Sequence, residues 1–324
     1  MKILISGGAG YIGSHVVKAL GKLGHELTIL DNLSTGHKQA ITFGELVVGD
    51  LADEKLLDQL FAAKKFEAVL HFAGSIIVPE SVTEPLKYYS NNTVNSLRLV
   101  SACIKHKCHQ LIFSSTAAVY GMTEEGGVTE ETPKNPINPY GSSKLMTEQM
   151  LTDVAASSPL RFVALRYFNV SGADPDGLIG QSFPGATHLI KVACETACGK
   201  RDHIKVFGTD YPTPDGTCIR DYIHVSDLAE AHVKALEYLA KGGTSDIMNC
   251  GYGHGFSVKE VLSRVPELTG VKIKIEQAPR RAGDPAVVMS KAEKIGRVLG
   301  WKPKYDDLDL IIKSAYEWEK NGRY

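Results

Sequence analysis

Short apolar runs alternate with amphipathic stretches through the first half of the chain. Residues Lys2–Ser6 read KILIS, a nearly unbroken apolar run of the kind that forms a strand buried on both faces. Ile12, Val16, Ala19, Leu20 and Leu23 then recur at helical spacing, and a second strand over 26–30 leads into Asp31. The same alternation predicts strands at Glu45–Val48, 68–72, 110–114 and 161–166. Between them it predicts helices at 53–63, 92–106 and 140–151, the middle one carrying Val94, Leu97, Val100 and Ile104 on one face. Strands and helices interleaved in this way imply an α/β fold. Its core is a doubly wound parallel sheet whose ligands bind at the carboxyl ends of the strands.

From Tyr167 onward the pattern loosens. Loops rich in Gly, Pro and Asp (171–185 and 208–216) separate shorter elements, with helices expected at 186–198, 225–239 and 257–267. The last of these opens on a capping box, Ser257 with Glu260. Residues 1–168 are expected to form one domain, with some later segments packing back onto it. Residues 169–324 then form a smaller, interleaved α/β domain over the cleft, since no linker-like composition divides the chain.

Bulk properties narrow the partners. The chain has 324 residues, 43% hydrophobic, with a formal net charge of −1. That supports a large core and argues against nucleic acid or a membrane surface as the main partner. No apolar run approaches the roughly 20 residues of a membrane span. The first strand begins at Lys2, which leaves no room for a signal peptide, so a cytoplasmic protein is expected. Among six cysteines, Cys103/Cys108 and Cys194/Cys198 lack the CxxC spacing of zinc or redox sites, so no metal is expected.

The chemistry begins after the first strand, where Gly7, Gly10 and Gly13 stand three apart in Gly7-Gly8-Ala9-Gly10-Tyr11-Ile12-Gly13. Glycines there allow a tight turn and let backbone N–H groups touch a pyrophosphate, with a helix N-terminus aimed at the anion. Asp31 stands roughly 20 residues on, where a carboxylate accepts adenosine ribose hydroxyls and repels the extra phosphate of NADP. This is an NAD fingerprint on a Rossmann-type sheet. Further on, Tyr140-Gly-Ser-Ser-Lys144 sets a phenol and an ammonium one helical turn apart. Alone the spacing is common. Behind an NAD site, the Lys charge and a nicotinamide cation would lower the phenol pKa and let Tyr140 take a proton from a hydroxyl. Ser114-Ser115-Thr116 brings hydroxyls to the end of the fifth strand, where Thr116 can share the same substrate oxygen.

The motifs GGAGYIGSH, DNLSTG, HFAG, SSTAAVYG, NPYGSSK, LRYFNVSGA, FGTDYPTPDGTCIRDYIHVSDLAEAH and PRRAGDPA run from Met1 to about Tyr316. In them the chain resembles the extended short-chain dehydrogenase/reductases and, more narrowly, the UDP-glucose 4-epimerase family. The block from Phe207 to His232 is the most specific to the epimerases. The resemblance implies NAD contacts at Gly7, Gly10, Tyr11, Ile12, Gly13, Asp31, Asn32, Leu33, Ser34, Thr35, Gly36, Asp50 and Leu51. It implies others at Phe72, Ala73, Gly74, Asn92, Ser114, Tyr140, Lys144, Tyr167 and Phe168. The implied catalytic set is Thr116, Tyr140 and Lys144. The UDP-sugar would be held by Thr116, Asn169, His188, Leu189, Phe207, Arg220, Arg281, Asp284 and Val288. Two departures stand out: Ser75-Ile76 replaces a Lys after the FAG turn, and Thr187-His188-Leu189 replaces Asn-Asn-Leu.

The implied reaction is epimerisation at carbon 4 of a UDP-hexose through a 4-keto intermediate, in a homodimer paired through the helices 92–106 and 140–151. A valine, Val288 or Val287, where many epimerases carry Tyr implies room for an N-acetyl group on the sugar. The alternatives are a nucleotide-sugar 4,6-dehydratase or decarboxylase, and a non-catalytic NAD-sensing protein. A dehydratase follows its Thr with acidic residues, where this chain has Ala117-Ala118. A sensor has no reason to keep Tyr140, Lys144 and Thr116 together.

Overall fold

A computed structural model describes residues 1–123, 127–183, 185–281, 283–322 and 324. Its centre is a seven-stranded sheet, all parallel, in the order β11-β6-β5-β4-β1-β2-β3. The strands are β1 (Lys2–Ser6), β2 (Glu26–Asp31), β3 (Glu45–Val48), β4 (Ala68–His71), β5 (Gln110–Thr116), β6 (Arg161–Tyr167) and β11 (Asp246–Cys250). Alternate residues feed two cores. Ile3, Ile5, Ile29, Leu70 and Ile112 face α1 (Tyr11–Lys22), α8 (Val225–Ala240) and α10 (Glu293–Leu299). Leu4, Leu30, Val69 and Phe113 face α2 (Glu54–Lys64), α5 (Asn95–Lys105) and α6 (Pro139–Ser157). A strand buried on both sides must be apolar at every position, which is why these runs are unbroken.

The strand order reverses between β1 and β4, and that switch point defines the crevice. Two short helices, α3 (Val78–Thr83) and α4 (Pro85–Tyr88), precede a π-helical turn, Tyr89–Val94. The sequence pattern reads one helix over 92–106; the chain instead widens into the π turn before α5 begins. A π turn admits an extra residue and is often found at functional sites. Here it carries Asn92 inward, 1% exposed.

The remaining elements form smaller sheets. β7 (Asn169–Ser171) pairs with β10 (Tyr222–His224), and β8 (Ile204–Phe207) with β13 (Ile275–Ala278). β9 (Ile219–Arg220) lies between β12 (Phe256–Ser257) and β14 (Val287–Val288). α7 (Leu189–Ala197), α9 (Val258–Thr269) and α11 (Leu308–Asn321) enclose a separate core of Ile190, Val206, Val261, Val265 and Ile312. The Ser257–Glu260 capping box forms at α9. The sequence pattern missed β11, because Asp246 and Asn249 interrupt its apolar run.

Candidate active site

The glycine turn after β1 is built for close backbone approach. Gly7 has φ +74, and a Cβ there would lie 2.5 Å from the Ala73 nitrogen. A Cβ on Gly13 would lie 2.3 Å from the Gly7 carbonyl oxygen. Gly10 caps α1 with extended backbone and no side-chain cap among the described residues, leaving first-turn N–H groups for an anion. Asp31, 8% exposed, accepts from the Ala9 and Leu33 N–H groups, both at 2.9 Å. Burial raises its pKa, and those two bonds oppose the shift. Each carboxylate oxygen has a second lone pair for a ribose hydroxyl.

Around it, Asn32 Nδ2 donates to Asp50 Oδ2 (2.8 Å), and the Ser34 N–H donates to Asn32 Oδ1 (3.0 Å). A Cβ on Gly36 would meet Ala9 at 2.9 Å, so the loop carrying Thr35 folds over the glycine turn. Leu51 is instead buried in the α2 core. Tyr11 turns away from the turn to donate to the Gly172 carbonyl (2.6 Å), and Ile12 packs partly against the α1 core. After β4, Asn92 accepts from the Ser75 N–H (2.7 Å) and donates to Ser143 Oγ (3.0 Å), fixing the Ala73-Gly74-Ser75 turn against α6. The residues present fit a dinucleotide: a side-chain-free cradle at the switch point, a helix N-terminus and a carboxylate one strand away.

α6 starts at Pro139 because Asn138 caps it, accepting from the Gly141 N–H (2.8 Å). That places Tyr140 on its first turn and Lys144 on the next. Lys144, 3% exposed, donates to the Ser114 carbonyl (2.9 Å) and lies 4.9 Å from the centre of the Phe113 ring. Burial lowers its pKa to about 8, with Glu148 opposing. Tyr140 is shifted the other way: burial raises its pKa, and the Thr116 hydroxyl partly offsets this. The lowering expected from the sequence is that of Lys144 together with a nicotinamide cation, in the NAD-loaded site. In the chain alone the Lys144 ammonium is directed to a carbonyl of β5. Thr116 Oγ1 accepts from the Ala118 N–H (3.1 Å). Ser114 Oγ and the Tyr167 hydroxyl are hydrogen-bonded.

On the other side of the cleft, the β8–β13 and β9–β14 pairings gather residues distant in sequence. The Arg281 guanidinium stacks 3.8 Å over the Phe207 ring. Arg220 Nη2 lies 3.8 Å from Asp284 Oδ1, and Val288 is in register with Arg220. Val288 and Phe168 pack against Ala117, Val119 and Tyr120, which follow Thr116. Asn169, in β7, donates from its backbone N–H to the Asp221 carbonyl (3.0 Å). His188 caps α7 ahead of Leu189, and Gln181 Nε2 lies 2.9 Å from its Nδ1. Burial lowers the His188 pKa, so the ring is neutral near pH 7.

Sequence reasoning missed the buried polar groups that hold these pieces. Asp221, fully buried, accepts from the Tyr252, Gly253 and Ser290 N–H groups at 3.0–3.2 Å. Asp227 accepts from the Tyr252 hydroxyl (2.6 Å) and from the Lys304 and Tyr305 N–H groups (2.8 Å). Arg166 and Glu148 form a bidentate pair, each 2% exposed. Their one visible signal was charge inside otherwise apolar runs. His232 lies 4.8 Å from Phe72 and 6.0 Å from Tyr167, centre to centre.

Comparison with known proteins agrees with this geometry. A UDP-glucose 4-epimerase of Azospirillum brasilense is 54% identical over 321 residues, 99% of this chain and 92% of that protein. The crystal structure of UDP-glucose 4-epimerase from Brucella ovis in complex with NAD matches with a TM-score of 0.96, at 44% identity over 98% of both chains. The UDP-Glc/GlcNAc 4-epimerase of Campylobacter jejuni is 53% identical, with a TM-score of 0.87, over 98% of this chain and 99% of that one. The profile of the NAD dependent epimerase/dehydratase family matches residues 3–251. This chain belongs to the NAD dependent epimerase/dehydratase family.

Proposed function

We propose that the chain is an NAD-dependent UDP-glucose 4-epimerase, interconverting UDP-glucose and UDP-galactose. The observation that carries this is the meeting of Tyr140 and Lys144 on α6 with the Thr116 strand end, beside the glycine cradle, in a chain 54% identical to such an enzyme. Bound NAD supplies a reversible hydride acceptor for carbon 4, so no oxidant is consumed overall. Gly7, Gly10 and Gly13 leave room for its pyrophosphate and Asp31 holds its adenosine ribose. Lys144, with ammonium protons left over after its bond to the Ser114 carbonyl, holds the ribose next to the nicotinamide.

Tyr140 takes the 4-hydroxyl proton, and Thr116 holds the same oxygen. The 4-keto sugar then turns about its diphosphate link and is reduced on its other face. Arg220 and Arg281 hold the diphosphate by charge-assisted hydrogen bonds, and Phe207 gives the uracil an aromatic face. Asn169, His188 and Asp284 complete the substrate side. Ala117 and Ala118 carry no acid to drive elimination, so redox at carbon 4 ends in epimerisation. In this reading residues 1–168 form the cofactor domain, and residues 169–324 form the substrate domain.

The test is a UDP-galactose assay on purified protein without added cofactor, followed by extraction of the bound dinucleotide. UDP-glucose formation with NAD recovered is expected. A stoichiometric demand for NAD, or turnover on NADP, overturns the reading.

A second substrate is part of the proposal. The Campylobacter jejuni enzyme acts on both UDP-Glc and UDP-GlcNAc by its name, and Val288 is a smaller side chain than Tyr. The wild type should epimerise UDP-N-acetylgalactosamine, and Val288→Tyr should depress that rate about 5–150-fold relative to UDP-galactose, since overpacking costs about 1–3 kcal/mol. An unchanged ratio removes Val288 from the argument.

The protein is further proposed to be a cytoplasmic homodimer. All six cysteines are free thiols, as a reducing compartment favours. Leu97 on α5 and Met146 on α6 stand about half exposed, on helices suited to pairing with a second copy. A monomeric mass by light scattering at micromolar concentration overturns the dimer.

A further inference from the structure

α6 presents an unusual inward stripe. Gly141, Lys144, Glu148 and Leu151 share its buried side, so two opposite charges sit one turn apart inside the protein. Burying either charge is costly unless partners meet it. Glu148 is met completely: Arg166 Nη2 lies 2.6 Å from Oε2, Arg166 Nε lies 2.9 Å from Oε1, and the Ser115 hydroxyl also donates to Oε1. Arg166 Nη1 continues to the Tyr120 hydroxyl (2.9 Å), which donates to Asn249 Oδ1 (2.6 Å) on β11. The network therefore ties α6 to β5, β6 and β11 at once.

Lys144 is treated differently. Its ammonium donates to the Ser114 carbonyl, the residue before Ser115, and no carboxylate lies within ion-pair distance among the described residues. Ionisable groups near it include His71 on β4 and Tyr140 on α6, with Arg166 and Tyr167 on β6, a strand packed against α6. Burial holds His71 neutral, with a pKa of about 3, and burial raises the phenol pKa of both tyrosines. Glu148 is thus the negative charge that favours the ammonium, and burial alone would remove its proton more readily.

We propose that Glu148, locked by Arg166 and Ser115, is a positioning residue of the reaction. It fixes the register of the helix bearing Tyr140 and Lys144 against the strand end bearing Thr116, and it supplies the negative charge beside Lys144. A purely structural pair would stabilise the fold and leave the pH dependence of turnover alone. A counter-charge leaves a mark there. Without it the ammonium loses its proton at lower pH, so the alkaline limb of the rate profile moves toward acid.

The proposal rests on Tyr140 and Lys144 acting as the catalytic pair, and the experiment separates the two. The measurement is kcat/KM for UDP-galactose against pH, on the NAD-loaded enzyme. Lys144→Met should lose most of its turnover; near-normal activity there overturns the catalytic pair, and this proposal with it. Glu148→Gln keeps the shape and removes the charge, and should move the alkaline limb acidward by roughly half to one pH unit. Glu148→Asp keeps the charge and should stay near the wild-type limb. If Glu148→Gln fails to fold, Glu148→Gln/Arg166→Gln removes both members of the buried pair, so Arg166 is not left without its partner, and should show a smaller shift of the same sign. A limb superposable on wild type in the folded Gln variant, or an equal shift in the Asp variant, overturns the role of Glu148 while leaving the pair intact.

Discussion

In the proposed mechanism Tyr140 and Thr116 divide one task, and substitutions should separate their shares. Tyr140→Phe removes the proposed proton acceptor and should lower kcat by about 10²–10⁴-fold while NAD stays bound after gel filtration. Thr116→Ala should cost less, because a hydrogen-bond partner is lost and the base remains. Near-normal turnover in the Phe variant removes Tyr140 as the base. Sequence spacing made these residues readable because each lies on one element: Tyr140 and Lys144 are a helical turn apart, and Thr116 ends a strand. Asp221 and Asp227 were not readable in that way. Their partners, Ser290 and Tyr305, lie 69 and 78 residues further on, and only the folded chain brings them together.

At the scale of elements, the turn between β1 and α1 is the most constrained. Gly13→Ala would press a methyl group against the Gly7 carbonyl at 2.3 Å. It should lose NAD on gel filtration and lower Tm, and a variant that keeps both unchanged would show that the turn has slack. Among the later elements, Ser257→Ala removes one half of a formed capping box. It should cost about 1 kcal/mol of stability in denaturant unfolding, with turnover unaffected. Both elements stood out in the sequence through local signals, glycine spacing and a Ser–Glu pair. The two-residue strands β9, β12 and β14 had no such signal. They are too short to carry a period, and they exist because Arg220 pairs on one side with Phe256 and on the other with Val288.

For the whole molecule, buried histidines set the acid limit. His15, His224 and His232 each have a pKa lowered by burial to about 4, and His71 to about 3, from an ordinary 6.5. Their folded pKa values lie below the unfolded ones, so the unfolded chain binds more protons between those values. Stability is full above pH 6.5 and is lost as pH falls toward 4. His15, His224 and His232 contribute about 3 kcal/mol each at most and His71 about 5, and the four lie in α1, β10, α8 and β4. Tm should therefore fall steeply below pH 6 in a single transition. A flat Tm down to pH 4.5 would show that these rings take up protons within the folded chain. The sequence displayed eleven histidines and gave no means of telling these four from the rest.

The last strand of the central sheet has a temporal consequence. β6 is complete at Tyr167, yet its neighbour β11 starts only at Asp246, and α8, which covers Val16, Val17 and Leu20 of α1, spans Val225–Ala240. On a ribosome adding about 5–20 residues per second, the first six strands wait roughly 4–16 s with one edge and one face bare. During that interval the nascent chain offers an unpaired parallel strand and an uncovered apolar helix, the features that chaperones bind and that aggregation exploits. A fragment ending at residue 168 should accordingly be insoluble when expressed alone, and should be rescued by co-expression of 169–324.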